Sequence, residues 1–156
     1  MWFVGQLLVY AFVYAAWRAW RKNAPTASAP SPPGHLGLAG YALALGLVSF
    51  GVRIFLPIDR WIEIPFFRFE PAHLPQYVSL FCFGLMAARG DWLERFDAPI
   101  GRVWLWLGIA AAAVRSSGAL GWIHLPLADG GLSFAALVWA LLESVICTGL
   151  CAGLLA

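Results

Sequence analysis

The sequence predicts an all-α membrane protein, a polytopic bundle of about five transmembrane helices. The first observation behind this prediction is composition: the 156 residues are 62% hydrophobic and only 12% charged, with a mean hydropathy of +0.77. Ordinary soluble domains are about 25% charged, because polar side chains must cover their surface. The second observation is that the apolar residues fall into five runs bounded by charged, Pro or Gly residues. Lipid is therefore expected to surround the chain.

Each of the five runs is a candidate membrane span. They cover residues 2–17, 36–56, 74–88, about 103–114 and 132–156, and the fourth either ends at 114 or continues unevenly to Trp122. Between the first two, residues 23–34 are rich in Pro, Ser and Ala, which predicts a flexible connector with nothing to bury. Residues 57–71 mix charged and aromatic side chains, as the membrane interface favours, and predict an amphipathic segment on the membrane. Residues 89–102 are expected to form a short charged loop.

The basic residues predict the orientation of the helices in a cell membrane. Six of the ten fall on one side of a multi-pass chain, and cytoplasmic loops are enriched in Lys and Arg. These six are Arg18, Arg21, Lys22, Arg89, Arg95 and Arg102, whereas Arg53, Arg60, Arg68 and Arg115 fall outside. The N-terminus is therefore predicted to be extracytoplasmic and the C-terminus cytoplasmic.

Composition also argues against two classes of partner. A net charge of +2 without a basic stripe does not suggest a nucleic-acid-binding protein. Cys82, Cys147 and Cys151 all lie inside apolar runs, and their odd number argues against a disulfide framework. Their spacing, with no histidine nearby, does not suit zinc. We interpret them as small buried hydrophobic side chains and expect no metal site.

Three stretches resemble one family of membrane enzymes. The first stretch is Trp2-Phe3-Val4 with Tyr14-Ala15-Ala16-Trp17-Arg18. The second runs from Val52-Arg53 through His73-Leu74-Pro75-Gln76-Tyr77-Val78 to Phe83-Gly84-Leu85, Ala88-Arg89 and Trp92-Leu93. The third is Glu143-Ser144 with Cys147 and Gly149-Leu150-Cys151. In order and spacing they are similar to the C-terminal half of the acyltransferase 3 family of bacterial integral-membrane O-acyltransferases. The likeness spans nearly the whole chain.

This resemblance implies a function and several partners. The family moves acyl groups such as acetyl or succinyl onto extracytoplasmic carbohydrate or similar acceptors, with an acyl-CoA as the expected donor and no bound cofactor. Its catalytic histidine and an upstream arginine belong to a first transmembrane helix that would lie before Met1. Residues 1–156 are therefore expected to be a single membrane domain and a fragment of a larger acyltransferase, with the missing N-terminal helices as a partner.

Two residues are candidates for a catalytic role. Glu143 lies near the middle of an apolar run, and an ionisable group at that depth usually faces the bundle interior and a partner. It either lines the acyl-transfer cavity or makes a structural polar contact between helices. His73 lies just before a span, where an imidazole that titrates near neutral pH could act as a base or bind an acceptor hydroxyl. Alternatively, His73 only sets the entry of the helix.

Three more residues are candidates for substrate binding. Arg53 and Arg115 lie toward the outer ends of their helices, where they could bind an anionic group, pair with Glu143, or simply extend to the interface. Gln76 could bind the acceptor or pair locally near the helix start. The spacing Gly149-x-x-x-Gly153 leaves one helix face small enough for close approach by a neighbour, and we interpret it as packing.

Two further classes of function remain open from the sequence. A small non-catalytic membrane subunit or scaffold would have polar groups that all pair internally. A transporter-like half would place a site at the bilayer midplane, and it would often show an internal repeat, which this sequence lacks. The acyltransferase reading is the leading hypothesis.

Overall fold

The computed structural model describes residues 2–21, 30–58, 61–64, 67–119 and 131–156. These residues form six α-helices, a two-stranded ribbon and a 3-10 turn. The helices are α1 (Trp2–Trp20), α2 (His35–Phe55), α3 (Leu74–Arg89), α4 (Trp92–Arg95), α5 (Ala98–Ala119) and α6 (Phe134–Leu155). The ribbon pairs β1 (Ile62–Ile64) with β2 (Phe67–Phe69), and the 3-10 turn is Pro71–His73. The predicted all-helical class is confirmed, because the strands contribute only three residues each.

Each predicted apolar run lies in one long helix, but the helices differ in how well they suit a membrane. Among the described residues, α2 and α6 are long and apolar enough to cross a bilayer, judged by length and composition. Only 33% of the apolar window of α2 and 39% of that of α6 are buried within the chain. α3 has 16 residues and is shorter than a typical span. Among the described residues, two helices thus meet the length and composition of a membrane span, and the predicted bundle of five spans is not confirmed.

The connections between helices differ from the predicted loops. Of the predicted connector 23–34, residues 23–29 lie outside the described residues, and residues 30–34 have no regular structure. The carbonyl of Pro30 accepts a 2.8 Å hydrogen bond from Trp92 Nε1, which attaches the connector to α4. The segment 57–71 contains the antiparallel ribbon, in which Glu63 lies opposite Arg68. Its apolar and charged residues alternate with the period of a strand.

α6 packs against α5 through backbone that comes unusually close. A Cβ atom built on Gly149 would lie 2.8 Å from Gly108 Cα, and one built on Gly153 would lie 2.5 Å from Leu105 Cβ. Gly101 in turn faces Ala152 and Ala156. Successive contact positions along α5 therefore meet positions progressively earlier in α6, so the two helices are antiparallel. The packing predicted for the Gly149-x-x-x-Gly153 face is present.

α2 packs on α6 in the same antiparallel sense. Gly46 faces Leu141 and Ser144, and further along α2 the carbonyl of Arg53 accepts a 3.1 Å hydrogen bond from the Gly131 amide. α6 is thus the central helix, with α2 and α5 both running antiparallel to it. An apolar cluster occupies the opposite end of α2 from Arg53, and its buried members are Leu38, Ala42, Phe83, Ala87, Trp92, Phe96, Trp104 and Ala152.

Candidate functional site

The structure brings all five predicted site residues together at one end of the bundle. Arg53 lies in the last turn of α2, His73 and Gln76 at the start of α3, Arg115 near the end of α5, and Glu143 in the first half of α6. Because α2 and α5 are antiparallel to α6, their C-terminal ends lie at the level of its N-terminal half. The helix register set by the glycines therefore assembles the cluster.

Glu143 is the centre of the cluster. One carboxylate oxygen, Oε1, accepts a 2.9 Å hydrogen bond from Arg115 Nη2. The other, Oε2, accepts from Arg53 Nη2 and from Gln76 Nε2, the latter at 3.3 Å. A carboxylate that only accepts hydrogen bonds is in its ionised form. Glu143 thus joins α6 to α2, α3 and α5 through charge-assisted hydrogen bonds, which are stronger than those between neutral groups.

The two arginines differ sharply in exposure. The side chain of Arg53 is 1% exposed and that of Arg115 is 48% exposed. The guanidinium of Arg115 also lies over the ring of Trp139, 5.5 Å from its centroid, which is within the range of a cation–π interaction. Arg115 can therefore contact a ligand from the open side, whereas Arg53 is enclosed by the chain.

His73 bridges Arg53 and a second carboxylate. Its Nδ1 lies 3.2 Å from Arg53 Nη2, and its Nε2 lies 3.5 Å from Glu70 Oε2. A guanidinium only donates, so Nδ1 accepts that bond and Nε2 carries the ring proton of the neutral imidazole. His73 is the residue that precedes α3, but its side chain makes no capping hydrogen bond. Its polar contacts lie with the cluster, and its ring also lies 6.2 Å from that of Tyr77 in the first turn of α3.

An open pocket of about 250 Å³ lies against this cluster. Arg115, Glu143, His73 and Gln76 supply its polar lining. Tyr77, Ile146 and Cys147 supply the rest. The polar groups therefore converge on a space that can hold a small ligand rather than on solvent alone.

Arg53 retains donor capacity that the cluster does not use. Its Nε and Nη1 are buried and have no hydrogen-bond partner among the described residues, and the same holds for Ser49 Oγ one helical turn away. Buried donors are normally paired, and an unpaired one is costly. Within the described part of the chain, the cluster therefore leaves donors of Arg53 unpaired, although both carboxylate oxygens of Glu143 accept hydrogen bonds.

Sequence reasoning missed several residues of the site. Glu70 was grouped with the charged residues of the interfacial segment, yet it is 7% exposed and faces His73. The spacing of three residues between them was the available signal. Trp139 lies four residues before Glu143 on the same face of α6, which places both near Arg115. Nothing in the sequence marks Tyr77 as a pocket residue.

The predicted local alternatives are resolved by these contacts. Gln76 is 5% exposed and bonds to Glu143, 67 residues away, rather than pairing locally. The arginines pair with Glu143, which was one of the three roles expected of them. The three cysteines are free thiols. Cys147 and Cys151 are partly buried, whereas Cys82 is exposed on α3 and is not buried within the chain.

Comparison of the chain with protein-family models, with curated proteins and with solved structures gives no significant match.

Proposed function

We propose that this chain is part of a cell-membrane O-acyltransferase of the acyltransferase 3 kind, which moves an acyl group such as acetyl or succinyl onto an extracytoplasmic carbohydrate or similar acceptor. The observation that carries the proposal is the convergence of Arg115, Gln76, His73 and Glu143 on one open pocket at one end of an apolar helical bundle. Polar groups in such a bundle are costly unless they serve a site or pair with each other.

The membrane setting rests on α2 and α6. Both are long and apolar enough to span a bilayer, and only 33% of the apolar window of α2 and 39% of that of α6 are buried within the chain. A core helix of a soluble protein would instead be mostly buried. In the proposed orientation, the polar cluster lies toward the extracytoplasmic side, and the C-terminus of α6 lies toward the cytoplasm.

The chemistry assigns different roles to the residues of the cluster. In the overall reaction an acceptor hydroxyl oxygen bonds to the acyl carbon, the carbon–sulfur bond of an acyl-CoA breaks, and the hydroxyl proton ends on the thiol. Arg115 and Gln76 bind the acceptor. His73 accepts the hydrogen of the acceptor hydroxyl at Nδ1 in place of the Arg53 contact, while Glu70 holds its Nε2–H. Glu143 positions Arg53 and Arg115.

A non-catalytic subunit or scaffold is the second candidate. The observation that favours it is the pairing of Glu143, whose two carboxylate oxygens both accept hydrogen bonds within the chain. Such a protein needs no ligand in the pocket. The two candidates therefore differ in whether the pocket-facing Arg115 matters for chemistry or only for stability.

The test compares Arg115→Gln with Arg102→Gln in the organism that makes the protein. Arg102 lies on the same helix, is exposed, and is absent from the pocket lining. Mild alkali releases ester-linked short acids from the extracytoplasmic carbohydrate, and mass spectrometry counts them in wild type, in a gene deletion and in both variants. We expect the deletion to abolish the ester and Arg115→Gln to lower it at least about tenfold, with Arg102→Gln unchanged.

Protein level is measured by immunoblot in the same membranes. Ester content that is unchanged in the deletion would reject the acyltransferase proposal. If the ester is lost in the deletion but Arg115→Gln keeps full activity at a normal protein level, this pocket is not the acyl-transfer site.

A further inference from the structure

We propose that a second pocket, between α1 and α3, binds a short apolar acyl chain that carries a carbonyl group. This pocket of about 240 Å³ is lined by Leu7, Leu80 and Phe81 together with Gln6, Tyr10 and Tyr77. Most of its wall is apolar or aromatic. It is separate from the polar pocket described above, but the two share Tyr77.

The polar groups of this pocket point to the ligand. Gln6 is 2% exposed, and within the described part of the chain neither its Oε1 nor its Nε2 has a hydrogen-bond partner. The Tyr10 hydroxyl is likewise buried and without a partner there. A primary amide placed in apolar surroundings is unfavourable unless something bonds to it. A ligand carbonyl would accept from Gln6 Nε2 and from the Tyr10 hydroxyl.

The size and shape of the pocket limit the ligand. A water molecule takes about 30 Å³ of liquid, so a volume of about 240 Å³ holds roughly eight non-hydrogen atoms. The rings of Tyr10 and Phe81 lie 5.7 Å apart at their centroids and keep the two helices together beside the pocket. A chain of about four to six carbons with one ester, thioester or amide carbonyl fits this lining.

The shared Tyr77 gives the pocket a place in the proposed reaction. An acyl chain in the apolar pocket and an acceptor in the polar pocket would lie on either side of this residue. The assignment as the acyl group of a substrate rests on the proposed acyltransferase function, whereas acyl binding itself does not. This would narrow the proposed acyl group from the acetyl or succinyl given above as examples to an apolar chain longer than acetyl.

The test is photolabelling of the full-length gene product in native membranes with a hexanoyl thioester whose chain carries a diazirine. We expect labelled peptides to map to α1 and α3. Gln6→Leu should lower the labelling roughly fivefold, because the carbonyl loses its hydrogen bond while the side-chain size is kept. Leu8→Ala is the matched control, since Leu8 is exposed on α1 and absent from the pocket lining.

A second variant and three competitors complete the test. Leu80→Trp fills the pocket while Gln6 is retained, and it should also remove the labelling. Unlabelled hexanoyl thioester should compete, whereas hexane should not. If Gln6→Leu is labelled as strongly as the wild type, or if hexane competes as well as the hexanoyl thioester does, the role of the carbonyl is overturned. Competition by added phosphatidylcholine without competition by the thioester overturns the short acyl ligand in favour of a bilayer lipid.

The readout is separate from acyl transfer. Labelling that depends on Gln6 in cells whose ester content does not respond to gene deletion would keep the acyl-binding pocket and reject the acyltransferase proposal. If the ester is lost in the deletion but the labelling does not depend on Gln6, the acyltransferase proposal is kept and the acyl-binding pocket is rejected.

Discussion

The two halves of α6 contact their neighbours in different ways. In the N-terminal half, Glu143 reaches Arg53 and Arg115 through long side chains. In the C-terminal half, Gly149 and Gly153 bring the α6 backbone against α5 with almost no side chain between them. The glycine contacts set the distance and register of the helices. The charged contacts, given that register, specify which residues meet, and they carry a larger penalty when one partner is lost.

Loss of the central carboxylate should have the largest effect on stability. Glu143→Gln leaves Arg53 buried without its counter-charge, and breaking a buried ion pair on one side typically costs about 3–5 kcal/mol. Glu94→Gln is the matched control, because Glu94 is exposed on α4. Unfolding by SDS in mixed micelles, followed by tryptophan fluorescence, measures the difference. If Glu143→Gln lowers the free energy of unfolding by less than about 1 kcal/mol, the charged contacts of α6 do not carry the larger stability penalty.

A methyl group in the glycine contact should have the next largest effect. Gly149→Ala would place its Cβ 2.8 Å from Gly108 Cα, where backbone rather than a flexible side chain must move. Overpacking of this kind costs about 1–3 kcal/mol. Gly84→Ala is the control, since nothing lies within 4 Å of a Cβ at Gly84. The same SDS titration applies, and equal stability of the two variants would contradict a tight α5–α6 contact.

The outer arginine should have the smallest effect. Arg115→Gln removes a side chain that is 48% exposed, and exposed ion pairs contribute about 1 kcal/mol or less. Arg53 still pairs with Glu143 in this variant. Arg53→Gln, at 1% exposure, should cost several times more, about 3 kcal/mol. Similar losses for the two arginines in the same titration would show that their burial does not set their contribution.

The last comparison also bears on the proposed site. If Arg115→Gln folds almost normally but loses acyl transfer, its role is in the pocket and not in holding α5 against α6. If it loses stability as much as Arg53→Gln does, the scaffold reading gains support.

The sequence predicted the helices better than it predicted their ends and their connections. The runs 36–56 and 132–156 differ from α2 and α6 by at most two residues at each end, because long apolar runs bounded by polar residues define a helix well. The fourth run, about 103–114, began too late, and a continuation toward Trp122 left its C-terminal end open. α5 begins at Ala98, since Pro99 is compatible with the first helical turn, and it continues past Arg115 to Ala119.

The ribbon and the site were harder to predict for different reasons. The segment 57–71 was recognised as amphipathic, but six strand residues give too short a pattern to distinguish from other interfacial structure. The five site residues were chosen one at a time, as polar groups in apolar surroundings. Whether these residues lie close together depends on the register between helices, which the sequence of a single apolar run does not specify. The pocket next to Gln6 depends on the packing of α1 against α3, about which the sequence is equally silent.

The ion pair between Arg53 and Glu143 has a consequence for biosynthesis, because the two residues are 90 positions apart in the chain. Ribosomes add about 5–20 residues per second, so Arg53 waits roughly 5–18 seconds before its partner is made. During that interval, a long cationic side chain near the end of a helix can extend to the water at the membrane surface. Arg53 belongs to the last turn of α2, where this is possible. If α2 spans a membrane as proposed, the same arginine in the middle of this helix would have to enter lipid alone before α6 existed.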